Sequence, residues 1–321
     1  MMYLAVAILF FVLLPVYFRI ADRYNIIDKP NERSSHKNVT IRGGGIVFIM
    51  AALVVLCTHF TAFWLPVTGI LVIGLISFLD DIYTLPNKVR LLFHMVAVTL
   101  LFLYLQVMSL PILVIIPLYI LVIGIINAYN FMDGINGITG LYSLVILAGL
   151  QYVNVYQRPF IEADMIWVPM IACVVFLFFN FRVKAVCFAG DVGSVTIAFW
   201  IVALLLDLIL TTGNWMYILF LGVYGVDSIL TIVHRLILQQ NIFKAHRLHF
   251  YQILVNEQKI PHLVVAAAYA LLQALIILML LNTTSGVHRD WLRGLLVLLP
   301  LVLIYIGFKG RLMQSRLKGN K

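Results

Sequence analysis

The residues able to do polar chemistry are few in this chain and come in clusters. Asp80 and Asp81 stand side by side at the end of an apolar run, with Lys88 and Arg90 following. Adjacent carboxylates near lipid repel each other and need a cation or a proton. A Mg²⁺ ion would serve, because it takes one or two carboxylates and completes its shell with water and phosphate oxygens; a solvated loop pair is the alternative. Asn127, Asn130, Asp133 and Asn136 recur every third residue between two apolar runs, with Gly134, Gly137 and Gly140 interleaved. Such a cluster is costly beside lipid and points to a polar ligand, which the glycines would let the backbone approach closely.

Three further segments carry the same kind of signal. Phe188-Ala-Gly-Asp-Val-Gly-Ser194 sets Asp191 between glycines at the start of an apolar run. An acid there caps a helix, and the same rigid, water-accessible placement suits a metal ligand. Lys244-Ala-His-Arg-Leu-His-Phe-Tyr251 puts His246 and His249 on one helix face beside Arg247. HExxH is absent, which argues against a zinc protease; Arg with flanking His suits a pyrophosphate, and an interfacial helix on lipid headgroups is the alternative. Ser34–Gly45 combines His36, Lys37 and Arg42 with Gly43-Gly44-Gly45 ahead of another apolar run. That arrangement fits anion binding at a helix N-terminus or a close helix crossing.

The elements that must position these residues are membrane helices. The chain of 321 residues is 63% hydrophobic and 11% charged, with a mean hydropathy of +1.06, far from a soluble domain. Apolar runs at 2–20, 44–63, 65–79, 91–109, 111–127, 138–155, 165–181, 194–211, 215–233, 262–281 and 291–307 predict an all-α, polytopic protein of about 11 spans. The runs at 65–79 and 111–127 are short for a crossing. The first run lacks a basic leader region and a small-residue cleavage site and reads as a retained span. No linker or repeat interrupts the pattern, so 1–321 reads as one membrane domain, with catalytic loops at 21–43, 80–90, 127–137, 182–194 and 234–261.

Lys and Arg fall mainly in alternate loops, which predicts an outer N-terminus and a cytoplasmic C-terminus. That location turns the net charge of +9 away from nucleic acid and toward topology and phosphate chemistry. Asp80, Asp81, Asp133, Asp191 and Asp227 then share the cytoplasmic face, whereas Asp207 lies within a span near its outer end. Cys57, Cys173 and Cys187 lack ligand spacing and read as packing residues.

Taken together, the pieces resemble the polyprenyl-phosphate N-acetylhexosamine-1-phosphate transferases, glycosyltransferases of family 4 type. They are His36 with Arg42-Gly43-Gly44-Gly45, the Asp80-Asp81 pair, the NxxNxxDGxxGxxGL pattern at 127–141, GDxGS at 190–194 and the HRxH loop. The resemblance implies a Mg²⁺-dependent enzyme, with Mn²⁺ able to substitute, in a bacterial inner membrane. It would move sugar-1-phosphate from a UDP-N-acetylhexosamine to polyprenyl phosphate and start a surface polysaccharide. It makes Asp191 and Asn130 metal ligands and assigns Asp80 and Asp81 to catalysis at the lipid phosphate. It assigns Asp133, Asn136, His246, Arg247 and His249 to the nucleotide sugar, and Arg90, His36 and Arg42 to phosphate. Homodimers occur in this superfamily, so a homodimer is among the assemblies implied; nucleic acid is not a partner. The last loop departs from the three-histidine run of the peptidoglycan translocases, which favours N-acetylglucosamine or a deoxy relative over the muramoyl-pentapeptide. A secondary transporter and a non-catalytic subunit of a polysaccharide assembly are the competing readings; clustering of the acids at one face and the lack of repeats argue against the transporter.

Overall fold

A computed structural model describes residues 1–28, 39–241, 247–282 and 294–309. Among them, 12 α-helices account for most of the chain. In order they are α1 (Met2–Arg23), α2 (Ile46–Thr58), α3 (Phe60–Tyr83), α4 (Asn87–Tyr104), α5 (Ile112–Met132), α6 (Ile138–Tyr152), α7 (Asp164–Asn180), α8 (Gly190–Thr212), α9 (Gly222–Ile237), α10 (Phe250–Asn256), α11 (His262–Leu281) and α12 (Gly294–Lys309). Each predicted apolar run overlaps at least one of these helices, and the run at 44–63 covers α2 and the start of α3. Eight stretches are long and apolar enough to cross a membrane, and three more, α2, α7 and α12, are apolar but shorter. Helices suit this composition because each backbone N–H and C=O finds its partner within the segment.

One boundary differs from the pattern of apolar runs, which places a break near residue 64. The chain breaks at His59 instead, leaving α2 with 13 residues and α3 with 24. Polar contacts pin the turn there: His59 Nε2 lies 2.8 Å from Asp164 Oδ2, and the Tyr3 hydroxyl donates to Asp164 Oδ1 at 2.6 Å. Pro66 then leaves the carbonyl of Ala62 without its helical donor, and α3 bends at Phe63.

Successive connections alternate between the two ends of the bundle. One end holds the Tyr3–His59–Asp164 contacts and the bond from Gln157 Nε2 to the Leu281 carbonyl. The other gathers the C-terminal ends of α3 and α5, the N-terminal ends of α4, α8 and α11, and residues 39–45 ahead of α2. Helix α8 runs through the middle, with every residue from Val192 to Leu206 buried.

The all-α expectation has one small exception. Ile27–Asp28 (β1) pairs antiparallel with Thr40–Ile41 (β2), and Ile41 bridges Cys187 in parallel. The ladder continues as Phe188 N to Ile41 O (2.8 Å), Gly44 N to Phe188 O (2.8 Å) and Gly45 N to Ala189 O (3.0 Å). This pairing clamps the chain ahead of α2 onto the chain ahead of α8.

Candidate active site

Where α2 and α8 begin, their backbones nearly touch. A Cβ added to Gly45 would lie 2.0 Å from Gly193 Cα and 2.8 Å from the Ala189 carbonyl. The glycine triplet therefore serves a close crossing, which brings Arg42 alongside Asp191. Gly190, at φ +71°, makes the turn into α8, and a Cβ there would meet Asp81 Oδ2 at 2.5 Å.

That turn is held by Asp81 from the last turn of α3. Its two oxygens accept the backbone N–H groups of Asp191 and Val192, each at 3.0 Å. These are among the N–H groups that a helix N-terminus leaves unpaired. Arg42 Nε meets Asp81 Oδ1 at 2.8 Å, and Arg42 Nη2 reaches Asp191 Oδ1 at 3.8 Å. Arg90, in the first turn of α4, repeats the pattern from the other side. Its Nη1 is 3.0 Å from Asp80 Oδ2, and its Nη2 is 3.3 Å from Asp191 Oδ2. Asp80 Oδ1 also accepts from Leu85 N at 2.6 Å, which shapes the turn between α3 and α4. The result is a chain of alternating charge, Asp81–Arg42–Asp191–Arg90–Asp80. Burial acts against the charge of Arg42, but Asp81 and Asp191 outweigh it and hold its guanidinium above the ordinary arginine value.

Beside this network lies a cavity of about 330 Å³, whose walls include Asp28, Arg42, Asn130, Asp133, Asn136 and Asp191. Asn130 is oriented by Ser194 Oγ, which donates to its Oδ1 at 2.7 Å from one turn below Asp191. Asp133 follows α5 and accepts from Thr139 Oγ1 at 2.6 Å; burial raises its carboxyl to about 7 despite that bond. Asn136 donates through Nδ2 to the Arg182 carbonyl at 2.8 Å. Asn180, Gln252 and His262 also line the cavity. The donor set includes carboxylates, amides and one guanidinium, so it is built for oxygen-rich, charged ligands.

The predicted residues thus separate into groups. Arg42, Asn130, Asp133, Asn136 and Asp191 line one cavity, with Asp80, Asp81 and Arg90 behind it. His249 is buried at 3% exposure, with Nδ1 3.5 Å from Asp227 Oδ1, and is not part of the cavity wall; neither is Arg247. His36 and His246 lie outside the described residues. Asn127 donates to the Ile123 carbonyl of its own helix at 2.8 Å and takes no part in the wall.

Sequence reasoning passed over Asp28, Asn180, Gln252 and His262. Asn180 braces the site: its Oδ1 accepts from Gly137 N at 2.6 Å, and its Nδ2 donates to the Cys187 carbonyl at 2.8 Å. Its signal was an asparagine closing a strongly apolar run. His262, just after Pro261, receives the Asn136 N–H on Nδ1 at 3.4 Å.

No curated protein matches the chain. One family model does: that of glycosyl transferase family 4 matches residues 63–209, a little under half of the chain, and spans Asp80, Asp81, Arg90, Asn130, Asp133, Asn136 and Asp191.

Proposed function

We propose that this protein is a membrane transferase that moves N-acetylhexosamine-1-phosphate from a UDP-sugar to polyprenyl phosphate, giving polyprenyl-diphospho-sugar and UMP. The observation that carries this reading is Asp191 at the mouth of α8, shared by Arg42 and Arg90 at the edge of a cavity lined with carboxylates and amides. The match to glycosyl transferase family 4 across α3–α8 supports it. Lys and Arg cluster in the loops at the cavity end, which supports a cytoplasmic site with the N-terminus outside. The surface-polysaccharide setting and N-acetylglucosamine or a deoxy relative as the sugar belong to the same proposal.

The residues fit a Mg²⁺ ion. Asp191 offers a carboxylate at 19% side-chain exposure, and Asn130 offers an amide oxygen held in place by Ser194. Among the described residues no three His, Cys, Asp or Glu side chains form a metal cage. That suits an ion which keeps water and takes phosphate oxygens. Asp191 and Asn130 would hold it, and when bound it supplies charge neutralisation at the transferring phosphoryl group.

The remaining work falls to the chain. The acceptor phosphate is its own nucleophile, because its second ionisation lies near ~6 and it is mostly dianionic at neutral pH. Its oxygen attacks the sugar-bearing phosphorus, a new P–O bond forms, the bond to the bridging oxygen breaks, and that oxygen leaves with UMP. Arg42 and Arg90 reduce the repulsion between the two anions and keep them aligned. Asp80 and Asp81 position these arginines and the start of α8; a general base is not required.

Purified protein incubated with radiolabelled UDP-sugars, Mg²⁺ and polyprenyl phosphate should move label into the organic phase. Chelation should stop the transfer, and Asp191→Asn should abolish it in protein that still folds. Absence of lipid-linked label with every UDP-N-acetylhexosamine would refute the proposal, as would substantial turnover by Asp191→Asn. Trapping a phosphorylated enzyme without lipid would refute direct attack.

A further inference from the structure

A second polar node lies outside the cavity, centred on Asp227 of α9. The residue is 2% exposed, yet groups from three helices converge on its carboxylate. Thr231 Oγ1 donates to Oδ1 at 3.2 Å from the next turn of α9. Phe250 N donates to Oδ1 at 2.8 Å and Tyr251 N to Oδ2 at 3.4 Å, both from the first turn of α10. The Tyr269 hydroxyl of α11 donates to Oδ2 at 2.8 Å. Helix α12 closes the node from outside: the Tyr305 hydroxyl lies 2.6 Å from Thr231 Oγ1, and Lys309 Nζ donates to Thr231 Oγ1 at 3.0 Å.

A buried carboxylate is an expensive way to pack helices, since apolar side chains of similar volume often do as well or better. What it adds is direction. Two N–H groups of one helical turn can meet the two oxygens of a single carboxylate in only a narrow range of orientations. The orientation of α10 matters because this helix supports the cavity. The Tyr251 hydroxyl donates to the Phe131 carbonyl at 3.0 Å and presses on Gly134, where an added Cβ would lie 2.2 Å from its oxygen. The next residue, Gln252, is itself part of the cavity wall beside Gly134 and Asn136.

We propose that Asp227 is a positioning residue for the cavity: through the N-terminus of α10 it sets the placement of Tyr251, Gln252 and the 131–136 wall, and α12 locks the arrangement. It touches no substrate, and it acts through α10, whereas the Asp191 network is built from α3, α4, α8 and the residues ahead of α2. The inference rests on the reaction proposed above and takes the cavity as the place of its sugar donor, so its test has one readout that needs no turnover.

Asp227→Asn keeps the volume of the side chain but turns one acceptor into a donor facing the α10 N–H groups or Tyr269. With Cys57→Ser removing the exposed thiol (Cys173 and Cys187 are buried), a cysteine introduced by Gln252→Cys reports the wall directly. Its labelling rate by a soluble maleimide should change severalfold when Asp227→Asn is added. In protein retaining Gln252, Asp227→Asn should raise the donor KM by about tenfold, the scale expected of a small misplacement, with the acceptor KM and kcat changed far less. Tyr269→Phe, which removes one donor only, should shift both readouts in the same direction by a smaller factor. Unchanged labelling and unchanged donor KM in folded Asp227→Asn protein would overturn the proposal. So would a loss confined to the amount of folded protein, with both KM values intact, in both variants. A changed labelling rate in a protein that transfers no sugar phosphate would refute the proposed reaction and leave the positioning role standing.

Discussion

Asp81→Asn separates an anchoring carboxylate from a reacting one. The Asp81 side chain has no exposed surface and spends both oxygens on three donors: Asp191 N, Val192 N and Arg42 Nε. An amide keeps one oxygen and turns an NH₂ toward at least one of those donors. Hydrogen bonds to a charged group contribute roughly 1.5–3 kcal/mol each, and breaking a buried ion pair costs about 3–5 kcal/mol. Arg42 is 34% exposed on its side chain and can be partly rehydrated, so the lower end applies, about 3 kcal/mol. For a chain of this size that corresponds to a fall in the unfolding midpoint of roughly 5 °C.

The assay is a thermal unfolding curve in detergent run beside the transfer reaction. Asp81→Asn should lose both stability and turnover, because the start of α8 that presents Asp191 is released. In an Arg42→Met background the further stability loss from Asp81→Asn should shrink, since the two side chains are in contact and their effects do not add. A midpoint within about 1 °C of the parent combined with lost turnover would refute the anchoring argument and make Asp81 a reacting group. Retained stability and retained turnover would refute both.

Three further outcomes follow from the same geometry. Gly190→Ala forces a left-handed backbone on alanine, about 1–2 kcal/mol, and drives a methyl group onto Asp81; transfer should be lost, and full activity would contradict the turn described for residues 188–191. Asp133, held at about 7 by burial against an ordinary value of about 3.9, keeps a proton in the folded state that the unfolded chain has released. Its contribution to stability is present below pH ~4 and is lost as pH rises through about 7; Asp133→Asn should flatten that slope in metal-free unfolding curves, and an unchanged slope would contradict it. Asp164→Asn, at the opposite end of the bundle, should lower stability by no more than about 1 kcal/mol and leave transfer unchanged; loss of transfer would indicate coupling between the two ends.

The helices were legible because lipid imposes a simple rule: apolar runs of spanning length become helices. The boundary at His59 was not, because it depends on Asp164, far away in sequence, and hydropathy carries no record of that contact. The acids and amides of the site were legible because polar groups are conspicuous in such a chain. Their division of labour was not. Asp80 and Asp81 are neighbours in sequence, yet one closes the turn into α4 and the other caps α8. His249 carried a strong local signal as a phosphate contact, but the fold turns it toward Asp227, a residue whose own signal was only an acid on an apolar run. Gln252 and His262 reach the cavity through the path of α10 and α11, which no local spacing encodes.

The distances within the ion-pair chain support Asp191 as the carboxylate that a ligand meets in the proposed reaction. Arg42 and Arg90 sit close to Asp81 and Asp80, at 2.8 and 3.0 Å, but stand back from Asp191, at 3.8 and 3.3 Å. Each guanidinium has five N–H donors, so anchoring to an outer aspartate leaves several for a phosphate. Asp191 is also the most exposed of the three, at 19% of its side chain against 0% and 7%, and it stands at a helix N-terminus that favours negative charge. A ligand drawn to Asp191 competes with two long contacts instead of two short ones, and the arginines remain fixed while it binds. Under the proposed reaction, that arrangement gives Asp80 and Asp81 the work of holding two cations beside Asp191, with no proton to carry.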